Sequence, residues 1–117
     1  MASDLESDQA ACLVMTTLPN AQSAAELARE LVQTGMAACV QMLPIQSFYM
    51  WKGQACEEPE CLLLIKTRCS LFAEVERFIR HHHSYEVPEI LQLPISAGSL
   101  PYLDWLVAQT RETNDKG

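Results

Sequence analysis

At 117 residues the chain has the size of one domain, and 49% hydrophobic against 20% charged residues, with 4 Gly and 6 Pro, excludes a disordered or low-complexity polymer. A formal net charge of -7, from 15 acidic and 8 basic side chains, repels phosphate backbones and anionic lipid, which argues against nucleic acid and membrane partners. It leaves open a cationic guest or a merely solubilising surface.

Residues 1–10 form a polar tail, MASDLESDQA, whose acidic character is the reverse of an export or organelle leader. No run approaches the ~18 to 20 apolar residues of a membrane span, so a cytoplasmic location is expected. Ala11 to Thr17 is apolar and partly β-branched, a first strand stopped by Leu18, Pro19 and Asn20. Asn20 is a helix cap for the segment in which Ala24, Leu27, Ala28, Leu31 and Val32 recur at helical spacing, and Gly35 supplies a left-handed stop.

Ala38 to Trp51 reads as a second strand with Pro44 in its middle, and Lys52, Gly53 and Gln54 as a turn. Cys61 to Thr67 reads as a third strand whose continuous apolar run predicts burial on both faces, with Pro59 lying before it. Ser70 is the expected cap of a second helix, with Phe72, Val75, Phe78 and Ile79 as its stripe, ending near His81, His82 and His83. Ile90 to Ile95, interrupted by Pro94, makes a fourth strand. Ser99 then opens a last helix with Pro101 in its first turn and Tyr102, Leu103, Leu106 and Val107 on one side.

The order βαββαβ plus a C-terminal helix predicts an α+β, ferredoxin-like sandwich over residues 11–112, with residues 113–117 as a second tail. In that topology the first and third strands are central. The prolines agree, because Pro44 and Pro94 fall in the two edge strands, where a missing N–H is tolerated. A long hairpin from Ala38 to Thr67 would overhang the domain and leave Phe48, Tyr49, Met50 and Trp51 near an exposed tip, which predicts coverage by another subunit.

Five cysteines, Cys12, Cys39, Cys56, Cys61 and Cys69, form an odd set without a CxxC pair, the pattern of reduced thiols and not of a disulfide framework or zinc knuckle. Cys56, among Glu57, Glu58 and Glu60, is expected on a solvated face, opposite in orientation to Cys61. The metal-like feature is the triplet His81, His82, His83. Neighbouring residues on a helix point about 100° apart, so these rings converge only where the helix has ended or another subunit supplies a ligand. The other open reading is a favourable interaction with the helix C-terminal dipole. No GxSxG, HExxH or phosphate-cradling glycine loop is present, so no enzymatic activity is expected.

TTLPNA at 16–21, MAACVQMLPIQSFYMWKG at 36–53, KT at 66–67, HHHSYEVPEIL at 81–91 and YLDWL at 102–106 together resemble the CutA divalent-cation-tolerance family, from about Leu13 to about Thr110. The resemblance implies a homotrimer whose hairpins wrap neighbouring subunits, a role in tolerance of divalent metals such as copper, and Cu(II) or a similar ion as ligand with no organic cofactor. It implies His82 and His83 as ligands, with Thr16 standing where some relatives carry a proposed copper-binding Cys; a Thr is the poorer ligand for a soft metal. It also brings Tyr49, Trp51, Lys66, Tyr85 and Glu89 to an inter-subunit cleft, where Lys66 would pair with Glu89 or help hold a bound anion or metabolite. A likeness in architecture to PII signalling proteins makes a regulatory module that signals to a partner protein the alternative function.

Overall fold

The computed structural model describes residues 9–113, in which four strands and three helices follow in the order β1 (Ala11–Leu18), α1 (Ala21–Gln33), β2 (Cys39–Trp51), β3 (Gln54–Arg68), α2 (Phe72–His82), β4 (Ile90–Pro94) and α3 (Leu100–Gln109). Every neighbouring pair is antiparallel and the sheet order is β2-β3-β1-β4, so β1 and β3 are central, as the sequence predicts. Pro44 and Pro94 both lie on edge strands, Pro94 as the last residue of its strand.

Alternation along the strands sorts the sheet into two faces. Cys12, Val14, Thr16 and Leu18 of β1 share one face with Cys61, Leu63 and Ile65 of β3, and these side chains are buried. Ala24, Leu27 and Leu31 of α1, with Val75 and Ile79 of α2, cover that face and close the main core. Leu13, Met15 and Thr17 share the other face with Leu62, Leu64 and Lys66. There α3 covers one end only, through Leu103 and Leu106 against Ala11, Ala38 and Ile95.

Two expectations change here. The apolar run Cys61 to Ile65 is buried on one face, while Leu62 and Leu64 on the other stay half-exposed, because no second helical layer spans that side in the single chain. Moreover β3 begins at Gln54, not Cys61, and Pro59 is inside it, paired with Gln46. The last β1 partner of β3 is Cys61, opposite Leu18, so residues 54–60 continue as a two-stranded ribbon with β2 in which both strands are edges and a proline is tolerated. The ribbon elongates the molecule to 46 × 26 × 24 Å.

Local signals set the element ends. Asn20 Oδ1 accepts the Ser23 N–H at 2.8 Å, and Gly35 takes φ +77 after the last turn of α1. Lys52 and Gly53 both have positive φ, 52 and 78, and form a two-residue turn between the paired Trp51 and Gln54. Helix α2 starts one residue later than Ser70 suggests: Cys69–Leu71 form a 3₁₀ turn, and Leu71 occupies the cap position without a side-chain cap. Ser99 stands at the cap position of α3 but makes no side-chain capping bond.

Candidate functional site

The histidine triplet straddles the end of α2. His82 is its last residue and His83, with φ -95 and ψ 143, is already extended, so the two rings leave in different directions. A backbone carbonyl can only accept, so a ring nitrogen that faces one carries a proton. Nδ1–H of His82 donates to the Phe78 carbonyl at 2.9 Å, one helical turn back, and the ring lies 4.1 Å from that of Phe78. Its Nε2 is turned outward, 3.8 Å from Glu30 Oε1, in a groove of about 430 Å³ between α1 and α2 that Ser23, Glu26 and Gln33 also line.

His83 uses both ring nitrogens. Nε2–H donates to the Thr17 carbonyl at 2.7 Å, and Nδ1 accepts the Tyr85 N–H at 3.1 Å. It ties the end of β1 to the connector at 84–89, and no lone pair is left for a metal while both bonds stand. Thr16 lies fully buried under the helices, its hydroxyl with no hydrogen-bond partner. His81 is exposed, its ring edge-on to His82. Of the three residues that the resemblance implies as ligands, only His82 presents a nitrogen to solvent. Among the described residues no three or more His, Cys, Asp or Glu are placed to hold one metal ion.

On the open face, where the ribbon meets the 84–89 connector, lies a cleft of about 640 Å³ lined by Thr17, Ser47, Phe48, Tyr49, Trp51, Glu60, Tyr85 and Glu89, with Ser84, Glu86 and Val87 at its edge. The two-residue turn places Tyr49 opposite Cys56 and Ser47 opposite Glu58, which puts all four on the same face as Trp51 and Glu60. The Tyr49 hydroxyl donates to Glu58 Oε1 at 2.7 Å and the Tyr85 hydroxyl to Glu60 Oε2 at 2.6 Å. The bond to Glu58 pushes the Tyr49 phenol up to about 12, since ionisation would set a second negative charge beside the carboxylate. Burial, then the bond to Glu60, raises Tyr85 as well. Glu89 is raised above the ordinary carboxylate range by partial burial first and by the charge of Glu60 second.

The structure thus brings Tyr49, Trp51, Tyr85 and Glu89 together and leaves Lys66 out. Lys66 pairs with Leu13, while Glu89 precedes the Thr16–Ile90 pair, so about four residues, or ~13 Å of strand, separate them. Lys66 instead reaches across the Tyr102 ring of α3, Nζ 5.6 Å from its centroid. Within one chain, then, Lys66 does not pair with Glu89. Sequence reasoning passed over Glu58 and Glu60 as solvated; a two-residue turn assumed at Lys52–Gly53, with strand alternation, would have placed both beside Tyr49. Glu30 was missed because its approach to His82 depends on how α1 packs against α2. All five cysteines are free, and burial pushes the Cys12 thiol up to about 12.

A family described as CutA1 divalent ion tolerance protein matches residues 12–109. The chain is 43% identical over 100 residues to "Protein CutA" of Homo sapiens, with 85% of this chain and 56% of that protein covered. It is 40% identical over 99 residues to the divalent-cation tolerance protein CutA of Thermus thermophilus, with 84% and 96% covered. Among solved structures, CutA1 from Oryza sativa superposes with a TM-score of 0.87 at 39% identity, over 92% of this chain and 99% of that one. The chain spans little more than half the length of the mammalian and plant relatives it matches.

Proposed function

The chain belongs to the CutA1 divalent ion tolerance family, and from that membership we propose that it is a non-catalytic, self-associating protein that binds a divalent transition metal, copper before zinc, through His82. One observation carries this reading. The Nδ1–H bond to Phe78 fixes the ring so that Nε2 faces Glu30, 3.8 Å away. Typical metal–nitrogen and metal–oxygen distances sum to about 4.1 Å, so one cation can touch both atoms. A carbonyl behind the distal nitrogen is the usual support of a ligating imidazole. Two donors make a weak site, which water or a residue of another copy completes.

Calorimetry with Cu(II) tests the assignment. His82→Ala is expected to weaken binding at least about tenfold, a loss of 1.4 kcal/mol or more. Equal binding by the wild type and His82→Ala overturns the reading.

Trimeric assembly, expected from the family likeness, is part of the same proposal. It is supported by exposed apolar residues on the ribbon and on β4, including Phe48 and Met50 (69% and 66% exposed). Five unpaired thiols favour a reducing compartment such as the cytoplasm.

A further inference from the structure

Two of the five cysteines meet. Strand pairing sets Cys12 opposite Thr67, and alternation carries Cys69, two residues on, to the same side of the sheet. That side is the one α1 and α2 cover, away from the open face, and there Cys69 packs against the core cluster that contains Cys12. The Cys69 N–H donates to the Ala10 carbonyl at 2.7 Å and its thiol to the Ala11 carbonyl at 3.4 Å, which sets the Cys69 sulfur beside the peptide bond that leads into Cys12. The two side chains are in hydrogen-bond contact. Burial first, and the charge of a Cys69 thiolate second, raise the Cys12 thiol to about 12.

The other thiols stand apart from this pair. Cys61 is opposite Leu18, so ~20 Å of β1 separates it from Cys12. Cys39 is paired with Lys66 and faces the open side, so the sheet itself lies between it and Cys12. Cys56 is on the ribbon opposite Tyr49, ~33 Å along β3 from Lys66. Within the pair the two roles differ. Cys12 is fully buried and Cys69 partly exposed, so an oxidant arriving from solvent meets Cys69 first.

We propose that Cys12 and Cys69 form a redox modification site, which a hydroperoxide oxidises to a reversible disulfide within one chain. The Cys69 thiolate attacks the terminal peroxide oxygen and the O–O bond breaks. Cys69 becomes a sulfenic acid, and the departing alkoxide or hydroxide takes up the proton that Cys69 gave up. The Cys12 thiol then displaces hydroxide from the Cys69 sulfur, the S–S bond forms, and the thiol proton leaves with the hydroxide as water. Two thiols thus give two electrons to one peroxide, and an added thiol reductant returns them. The bond joins the start of β1 to the turn that opens α2 and closes the intervening chain into one loop, so the oxidised chain resists unfolding more than the reduced one.

The test uses the full chain with Cys56→Ser, which removes the thiol on the ribbon, treated with hydrogen peroxide in metal-chelating buffer and alkylated after denaturation. Trypsin cuts after Arg29, Arg68 and Arg77, so Cys12 and Cys69 fall in separate peptides, 1–29 and 69–77. The expected product is these two peptides joined, in a band of single-chain mass on a non-reducing gel, and parted by dithiothreitol. The urea midpoint should rise on oxidation and return on reduction. In Cys12→Ala the Cys69 sulfenic acid should persist long enough for dimedone to capture it, and neither Cys12→Ala nor Cys69→Ser should gain urea resistance from peroxide. Where Cys12→Ala fails to fold, the peptide map and Cys69→Ser decide. A different joined pair, a covalent dimer in place of the internal bond, or Cys69 carried on to sulfinic acid while Cys12 stays alkylatable overturns the proposal. So does the absence of reaction at millimolar peroxide, or a disulfide that leaves the urea midpoint unchanged.

Discussion

His82 and His83 are adjacent in sequence, yet one offers a nitrogen to solvent and the other is a brace. The sequence shows an HHH run at the end of an amphipathic helix, which makes metal binding legible as a question. It does not show which carbonyls the rings will meet, because Phe78 is local to His82 whereas Thr17 is 66 positions from His83. His83→Ala should therefore lower stability by about 1–3 kcal/mol in urea unfolding, since the nearly buried Thr17 loses its acceptor bond, and leave Cu(II) affinity in place. Thr16→Val should raise stability by about 1 kcal/mol, because it removes a buried hydroxyl without a partner and keeps the shape. Glu89 supplies a pH signature. Its carboxyl is raised in the folded state, so the folded chain holds that proton more tightly than the unfolded one, and stability falls as pH rises through the raised value. Glu89→Gln should raise the unfolding temperature near neutral pH, and the gain should vanish once the pH drops below the ordinary carboxylate range.

At the level of elements, most of the fold was legible. Hydrophobic period, Asn20 and Gly35 locate α1, and two prolines identify the edge strands before any pairing is known. What the sequence hid was the first half of β3. Gln54 to Glu60 is polar, acidic and interrupted by Pro59, a composition with little strand propensity of its own, and it is extended because β2 pairs with it through the Lys52–Gly53 turn. That Lys66 and Glu89 of one chain stand apart was hidden for a related reason: it depends on the register of three strands at once. Gly35 shows how one element end fixes another, since its carbonyl accepts the Arg111 N–H at 2.8 Å and a Cβ there would lie 3.2 Å from Arg111 Cβ. With φ at +77, Gly35→Ala should cost about 1–2 kcal/mol in denaturant unfolding, with the chain after α3 loosening first.

For the whole molecule, the half-covered sheet is the dominant fact. Leu43, Leu91 and Leu93 expose 40%, 52% and 40% of their surface on the open face, a poor surface for a lone subunit. Light scattering at micromolar concentration should return an oligomer, and Leu91→Lys with Leu93→Lys should return a smaller species of unchanged secondary structure.

The reverse turn at the ribbon tip carries more than its two residues suggest. In an extended chain, which way a side chain points depends only on whether its distance from the tip is odd or even. One residue added beside Lys52 would thus swap the inner and outer sets of one strand against the other, parting the phenol of Tyr49 from its acidic acceptor while leaving every amino acid in the cleft unchanged. The chemistry there rests on parity, and deletion or insertion at the tip should erase it more completely than any single side-chain replacement.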